Sequence, residues 1–329
     1  MPEIIDDKSQ HCIPFLLERL QAHAQRHRNE GAETPPFFLG LNGVQGAGKT
    51  VLVSTLQNTL RAEPYSLSVV TWSLDDIYLT HADQLALAQK YPDNPLLQHR
   101  GQPSTHDLVL GEKVFASLAA EKPTAIPQYD KSAFAGQGDR VPESQWEVVN
   151  SEGQQKIKVV IFEGWCVGFR PRDDNTLRAL WEDAVRRKES GDYSGRLGYV
   201  KFEDIQTVND SLKGYNALTD DAQNLRFVYE WRQEQERTLR AAKGTGMTEE
   251  QVTNFVDGCS YLLCKNFHFI FDGLTLAIDY PSYEVFTDTL REGVFKPAQG
   301  SAESESEWKN RQLRLVVDRN RRVQEVIKV

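Results

Sequence analysis

Several things are scarce in this chain of 329 residues, and each scarcity excludes a class of protein. Cysteine is rare: Cys12, Cys166, Cys259 and Cys264 form no C-x-x-C pair and no Cys/His metal spacing. A disulfide framework and a structural zinc are therefore not expected, and a reducing compartment suits the chain. Positive charge is in deficit, with 38 Lys+Arg against 47 Asp+Glu and a formal charge of −9. A nucleic-acid partner is not expected, because such binders carry a basic footprint. No apolar run approaches the ~18 residues of a membrane span, so no membrane partner is expected. The first ten residues, MPEIIDDKSQ, have no basic stretch and no apolar stretch. They read as neither a secretory signal nor a transit peptide. The expected location is the cytoplasm, with the nucleus as the alternative. No Asn/Thr-Lys-x-Asp guanine-reading motif occurs, which argues against a GTPase, and there is no second phosphate-binding loop to suggest a motor.

What is present begins with an amphipathic stretch at 13–28, which predicts an N-terminal helix stopped by Pro35 and Pro36. The apolar runs at 37–41, 67–72 and 158–162 predict strands buried on both faces. Helical patterns at 50–61, 82–90 and 105–120 alternate with them. This order predicts βαβ units and an α/β fold, a three-layer α/β/α architecture around a mostly parallel sheet. Residues 121–156 read as a long excursion with a short hairpin, and 174–256 as mostly helical. An acidic low-complexity stretch at 299–307 precedes two strands around a turn at 318–321. With no linker in view, one domain is expected. It comprises a core over 36–170, a helical lid and substrate region over 171–296, and a C-terminal loop and strands over 297–329.

Gly43-Val-Gln-Gly-Ala-Gly-Lys49-Thr50 matches G-x-x-x-x-G-K-[ST], with a strand pattern before it and a helix pattern after. Backbone N–H groups of Gly43, Val44, Gln45, Gly46, Ala47, Gly48 and the residues through Val51 would cup the phosphates of ATP. Lys49 would reach the β- and γ-phosphates, and the Thr50 hydroxyl would ligate Mg²⁺. The second strand runs into Ser73-Leu-Asp-Asp-Ile-Tyr78. An acid at the carboxyl end of the strand beside the P-loop strand can face the γ-phosphate and take the proton of an acceptor hydroxyl. Asp75 is assigned that base role, on the Asp-x-apolar-Tyr pattern of nucleoside-kinase-like enzymes. Asp76 is assigned to the substrate or the magnesium shell. The competing reading is that both acids cap the next helix. Phe162-Glu-Gly-Trp165 has the shape of a Walker-B end carrying Glu, so Glu163 is a candidate outer-sphere magnesium ligand. Its alternative is an acid facing solvent.

With these residues laid out, the chain resembles the D-glycerate 3-kinase family of plant and fungal P-loop kinases, the fungal ATP-dependent kinases especially. The resemblance covers about 40–290. It rests on Ser73-Leu-Asp-Asp-Ile-Tyr-Leu-Thr80, Arg100-Gly-Gln-Pro-Ser-Thr-His-Asp107, Pro127-Gln-Tyr-Asp-Lys-Ser132 and Gly138-Asp-Arg140. Phe162-Glu-Gly-Trp-Cys-Val-Gly168, Val208-Asn-Asp-Ser-Leu212, Tyr229-Glu-Trp-Arg-Gln-Glu-Gln-Glu236 and Tyr280-Pro-Ser-Tyr-Glu284 continue it in order. It implies transfer of the ATP γ-phosphate to a small hydroxylated acid, with D-glycerate as the named acceptor. Tyr78, Arg100, Thr105, His106, Lys131, Ser132 and Arg140 lie in the matching motifs and are the expected acceptor contacts. A bidentate arginine would be the best clamp for a carboxylate. Arg232, with Arg237, Arg240 and Lys243 on the same predicted helix, is the expected phosphate-closing cation; a solvated charged face is the alternative. Other acceptors (a nucleoside, pantothenate, a sugar phosphate) share the P-loop and strand-two Asp, and a non-catalytic ATP-binding regulator would share the P-loop. Oligomeric state is not indicated.

The chain departs from the family at one place. The family runs from Phe-Val-Asp-Gly almost directly to Tyr-Pro-x-Tyr-Glu, but here the apolar segment 259–279 intervenes and carries two of the cysteines. It reads as an insertion translated from a retained intron, which the mature transcript would show directly. The other reading is a genuine hairpin, with 266–270 and 274–278 as its two strands.

Overall fold

The structure, a computed structural model, describes residues 6–29, 31, 33–43, 48–193, 195–219, 267–274, 281–291, 311–317 and 322–328. Its spine is a six-stranded sheet in the order β10-β9-β8-β1-β7-β2. The strands are β1 (Phe37–Gly43), β2 (Val69–Ser73), β7 (Val159–Gly164), β8 (Phe267–Leu274), β9 (Gln312–Val317) and β10 (Val323–Lys328). Neighbours from β2 to β9 are parallel, and β10 closes the edge antiparallel to β9. The last pair matches the two strands expected around 318–321.

The apolar strand runs take both faces. Phe37, Leu39 and Leu41 of β1, with Val159 and Ile161 of β7, point to one side. There they meet α1 (Ser9–Asn29) through Cys12, Phe15 and Leu16, and α2 (Lys49–Arg61) through Leu52, Leu56 and Leu60. Phe38, Val70, Trp72, Val160 and Phe162 point to the other side. That face is covered by α4 (Leu108–Ala119), α5 (Asp174–Glu189), α6 (Phe202–Thr219) and α7 (Pro281–Arg291). Period-two alternation along each strand thus produces the expected three layers. Each fully buried Phe or Leu in them contributes about 1.5–3 kcal/mol by leaving water.

The expected helix at 105–120 begins later, at Leu108. Asp107 is its N-cap and accepts the Leu110 N–H at 3.0 Å, while Tyr78 and His106 form an isolated antiparallel bridge just before it. α3 (His81–Lys90) starts from a Thr80 cap. The excursion at 121–156 holds two small antiparallel ladders rather than one hairpin: β3 (Thr124–Ile126) with β6 (Glu147–Val149), and β4 (Tyr129–Asp130) with β5 (Asp139–Arg140). The hairpin reading of 266–278 is corrected. Residues Phe267–Leu274 form one continuous strand, paired on one side with β1 and on the other with β9. Part of the segment read as an insertion therefore supplies the strand joining β1 to β9. The helix expected at 229–243 and the acidic stretch at 299–307 lie outside the described residues.

Candidate active site

In an open parallel sheet, ligands sit beyond the carboxyl ends of the strands, and the candidate residues gather at that end here. β1 ends at Gly43 and α2 begins at Lys49, so the phosphate loop joins them. Gly48, the N-cap of α2, takes the left-handed conformation at φ 94°, which a Cβ would strain. Lys49 Nζ donates to the Gly43 carbonyl at 2.7 Å, folding the side chain back across the loop mouth. Thr50 is exposed and Val51 half-buried in the first turn of α2, where the helix presents unpaired N–H groups and its positive end. Val44, Gln45, Gly46 and Ala47 lie outside the described residues, as does Arg232.

Strand register places the acids. Glu163 of β7 is paired with Leu41 of β1 and with Ser73 of β2, so β2 does not lie beside the P-loop strand as expected: β7 intervenes, and Glu163 stands between the P-loop strand and the strand bearing Asp75. β7 then passes tightly under the turn after β2. A Cβ on Gly164 would come 2.7 Å from Leu74 Cβ and 2.8 Å from Val167, so only glycine fits there. In that turn, Ser73 Oγ accepts the Asp75 N–H at 3.2 Å, and Asp76 Oδ2 accepts the Ser73 N–H at 2.8 Å. The two adjacent acids therefore divide the work: Asp76 is the capping carboxylate, and the Asp75 carboxylate is left to other partners. Burial, reinforced by the charges of Asp75 and Glu163, raises the Asp76 pKa to about 6. Burial raises the Glu163 pKa as well; the Lys49 charge opposes that rise and the Asp75 charge adds to it. Three carboxylates held close in a half-dry site favour a cation among them. Among the described residues no group of three or more His, Cys, Asp or Glu is placed to hold a metal ion by itself. A magnesium ion here would take most of its coordination from nucleotide phosphates and water, as this ion commonly does.

Asp75 Oδ2 receives Lys131 Nζ at 2.6 Å. Lys131 follows β4, in the segment that crosses to β5, so this short ladder lays an ammonium over the carboxylate. Lys131 is mostly exposed, and such a pair is worth at most about 1 kcal/mol, weak enough to be exchanged for a ligand. A stack of rings also reaches Asp75. Tyr78 faces the carboxylate with its hydroxyl; burial first, and then the Asp75 charge, raise the Tyr78 pKa well above its usual value. The Tyr78 ring stacks on His106 at 4.3 Å and 22°. His106 Nδ1 lies 2.5 Å from the Tyr215 hydroxyl, whose oxygen also accepts the Ser104 N–H at 3.0 Å. Burial drives the His106 pKa down to about 3 against the pull of Asp75, so the ring is neutral near pH 7. Its Nε2 is buried with no hydrogen-bond partner among the described residues, an arrangement that costs about 1–3 kcal/mol.

The remaining expected acceptor contacts are committed to the protein. Arg140 Nη1 bonds Asp107 Oδ2 at 3.1 Å, and its Nη2 donates to the Tyr78 carbonyl at 2.9 Å. Arg100 Nη1 donates to the carbonyls of Gly136 and Gln137, fastening the tip between β4 and β5. Thr105 is fully buried; its hydroxyl donates to the Gln102 carbonyl and accepts the Gly101 N–H. Ser132 Oγ donates to Asp130 at 2.6 Å. These four side chains brace the loops around Asp75, while Tyr78, His106 and Lys131 are the three that the fold brings near it. The residue missed from sequence is Tyr215. On α6 it extends the stripe Ile205, Val208 and Leu212, all buried, so it reads as one more core aromatic. Nothing in that spacing signals the hydroxyl's partner.

No family model matches the chain. It is 41% identical over 229 residues to a Schizosaccharomyces pombe protein named "Uncharacterized kinase mug58", spanning 68% of this chain and 79% of that protein. It is 33% identical over 260 residues to the Saccharomyces cerevisiae protein named "Probable ATP-dependent kinase TDA10", spanning 76% of this chain and 84% of that one. Among solved structures it is similar to a D-glycerate 3-kinase from Cryptococcus neoformans, with a TM-score of 0.65 and 31% identity over 99% of this chain and 100% of that one. With relatives this similar across most of both chains, the protein belongs to the D-glycerate 3-kinase family of ATP-dependent P-loop kinases.

Proposed function

We propose that this kinase transfers the γ-phosphoryl group of ATP to a hydroxyl of D-glycerate, giving 3-phosphoglycerate. The observation that carries the reading is the position of Asp75. It stands one turn past β2, two strands from the P-loop strand, with the Lys131 ammonium and the Tyr78 hydroxyl both on its carboxylate. A small acceptor whose carboxylate competes for Lys131 would release Asp75 to take the hydroxyl proton. The hydroxyl oxygen then forms a bond to the γ-phosphorus as the bond to the ADP oxygen breaks, and the proton stays on Asp75. Lys49 and the N-terminus of α2 offset charge on the phosphates. Thr50 and, through water, Glu163 are the residues that would hold magnesium, whose charge would neutralise the β- and γ-oxygens. The similarity to the Cryptococcus D-glycerate 3-kinase supports the choice of acceptor.

The test is coupled ADP release by the purified chain with D-glycerate, pantothenate, nucleosides and sugar phosphates as acceptors. D-Glycerate should give the highest kcat/KM. Asp75→Asn should lower kcat by about 10²–10⁴, as for loss of a general base, while ATP still binds. D-Glycerate at background would overturn the acceptor, and unchanged turnover in the variant would overturn the base. ATP binding with no turnover on any acceptor would point to a regulator.

A further inference from the structure

The acceptor-side cation, Lys131, stands on a piece of chain that has little of its own to hold it. Residues 131–137 are exposed apart from a half-buried Ala133, so the tip between β4 and β5 buries little apolar surface. An exposed ion pair such as Lys131–Asp75 is too weak to fix a loop by itself. We infer that Arg100 is a positioning residue: its guanidinium holds this tip closed and thereby keeps the Lys131 ammonium over Asp75. The inference rests on the acceptor carboxylate binding at Lys131, as proposed above.

The tip is a closed turn with carbonyls directed at one cation. The Gly136 N–H donates to the Ser132 and Ala133 carbonyls at 3.1 Å, and the Gly138 N–H to the Ala133 carbonyl at 2.8 Å. Three other carbonyls go to Arg100. Nη1 donates to those of Gly136, at 2.6 Å, and Gln137; Nη2 reaches that of Lys131 at 3.4 Å. One planar fork thus ties both ends of the turn, including the residue that bears the ammonium. The backbone makes room for it. Gly138 has φ 86°, and a Cβ there would stand 2.5 Å from the Tyr129 ring and 2.9 Å from Arg100 Nη1. A second anchor is His81 at the start of α3. Its ring lies flat on Phe134 at 3.8 Å and 2°, and its Nε2 is 2.9 Å from Gln137 Oε1. His81 grips the outer part of the tip, whereas Arg100 bonds the main chain of Lys131 itself. Arg100 therefore acts on the acceptor through where it sets Lys131.

Two readouts on the full chain test this. The first needs no acceptor: amide hydrogen exchange, read by mass spectrometry on peptides covering the tip. Arg100→Met should speed exchange of the turn amides by about tenfold or more, while peptides from β1 and β7 keep their wild-type rates. Unchanged exchange in the tip overturns the inference. The second is kinetic and uses whichever acceptor the ADP-release panel shows to be active. Arg100→Met should raise acceptor KM about tenfold with ATP KM unchanged, as loss of the Lys131 charge would. Because Arg100 acts through Lys131, the double variant Arg100→Met with Lys131→Met should stay within about twofold of Lys131→Met alone. Losses that multiply to about a hundredfold would make Arg100 an acceptor contact and overturn the inference. Gly138→Ala keeps the guanidinium but fills its seat, and should reproduce both the faster exchange and the raised KM. Where thermal melts show that Arg100→Met does not fold, Arg100→Lys carries both tests, since one ammonium cannot span the three carbonyls. A Lys131→Met variant with wild-type acceptor KM falls instead on the proposed function, while the exchange readout still decides whether Arg100 closes the tip.

Discussion

The two halves of this site are built differently. The phosphate side comes from one stretch of chain: β1, a loop, and the first turn of α2, within which Gly43, Gly48, Lys49 and Thr50 all sit. The proposed acceptor side comes from four separate stretches. Asp75 and Tyr78 follow β2, His106 precedes α4, Lys131 follows β4, and Tyr215 lies on α6, while Glu163 at the end of β7 stands between the two sides. A phosphate is gripped by backbone N–H groups and a helix end, which local geometry supplies. A small acid is recognised by a few side chains whose relative placement only packing can set. The phosphate side should therefore be sensitive to single local changes, and the acceptor side to changes at a distance.

Breaking the phosphate side should have the largest effect. Lys49→Met removes the cation of the loop and should lower kcat/KM for ATP by about 10²–10³, the range seen for loss of one charge-stabilising donor. Steady-state kinetics with ATP varied measures it. A loss confined to acceptor KM would show that the two sides are not separable in this way.

A smaller, one-sided effect is expected at Lys131. Lys131→Met removes the ammonium 2.6 Å from Asp75. Acceptor KM should rise about tenfold, since a charge-assisted contact to a carboxylate is lost, and ATP KM should hold. If ATP KM rises in step, Lys131 belongs to the phosphate side, and the comparison has to be redrawn.

The smallest effect concerns stability rather than turnover. The Asp76 pKa is raised in the folded state to about 6 from an ordinary 3.8. Below pH 3.8 the group is protonated folded or unfolded, and the fold carries no penalty from it. As pH rises through about 6 the folded state must ionise a buried acid, and that share of stability is lost. Asp76→Asn keeps an oxygen for the Ser73 N–H and removes the charge. It should unfold later in urea than the wild type at pH 7.5, by on the order of 1–3 kcal/mol, with the difference shrinking toward pH 4. A difference independent of pH would remove burial of charge as its cause. A collapse of turnover in this variant would move Asp76 from cap to site.

How much of this was legible beforehand follows the same division. The runs at 37–41, 67–72 and 158–162 announced strands because burial on both faces leaves no alternation to blur them, and β1, β2 and β7 lie there. The terminal pair, β9 and β10, was marked by its apolar runs and turn. α4 starts three residues later than its pattern predicts, because His106 is bridged to Tyr78 and Thr105 is buried with its hydroxyl bonded back to Gln102 and Gly101. The two small ladders in 121–156 were read as one, since strands of two and three residues carry too little pattern. For 267–274 the Phe-Asp-Gly sequence looked like a turn, yet pairing with both β1 and β9 keeps that stretch extended. The sequence pattern separates Asp75, as base, from Asp76, as a substrate or magnesium contact, and leaves open that both cap the next helix; the turn geometry makes Asp76 the cap.

The sequence by itself determined the layered α/β fold, the phosphate loop and the acid after the second strand. Each depends on residues close together in the chain, where periodicity and backbone freedom act directly. The tertiary structure decided which cations face Asp75 and which brace the loops. Arg100 and Arg140 had the chemistry of a carboxylate clamp, but backbone carbonyls and Asp107 reached them first. It also decided that Tyr215, one aromatic in a buried helical stripe, would turn its hydroxyl to His106. A hydrogen bond between residues 109 positions apart leaves no trace in either local pattern, because its energy belongs to the packing that brings them together.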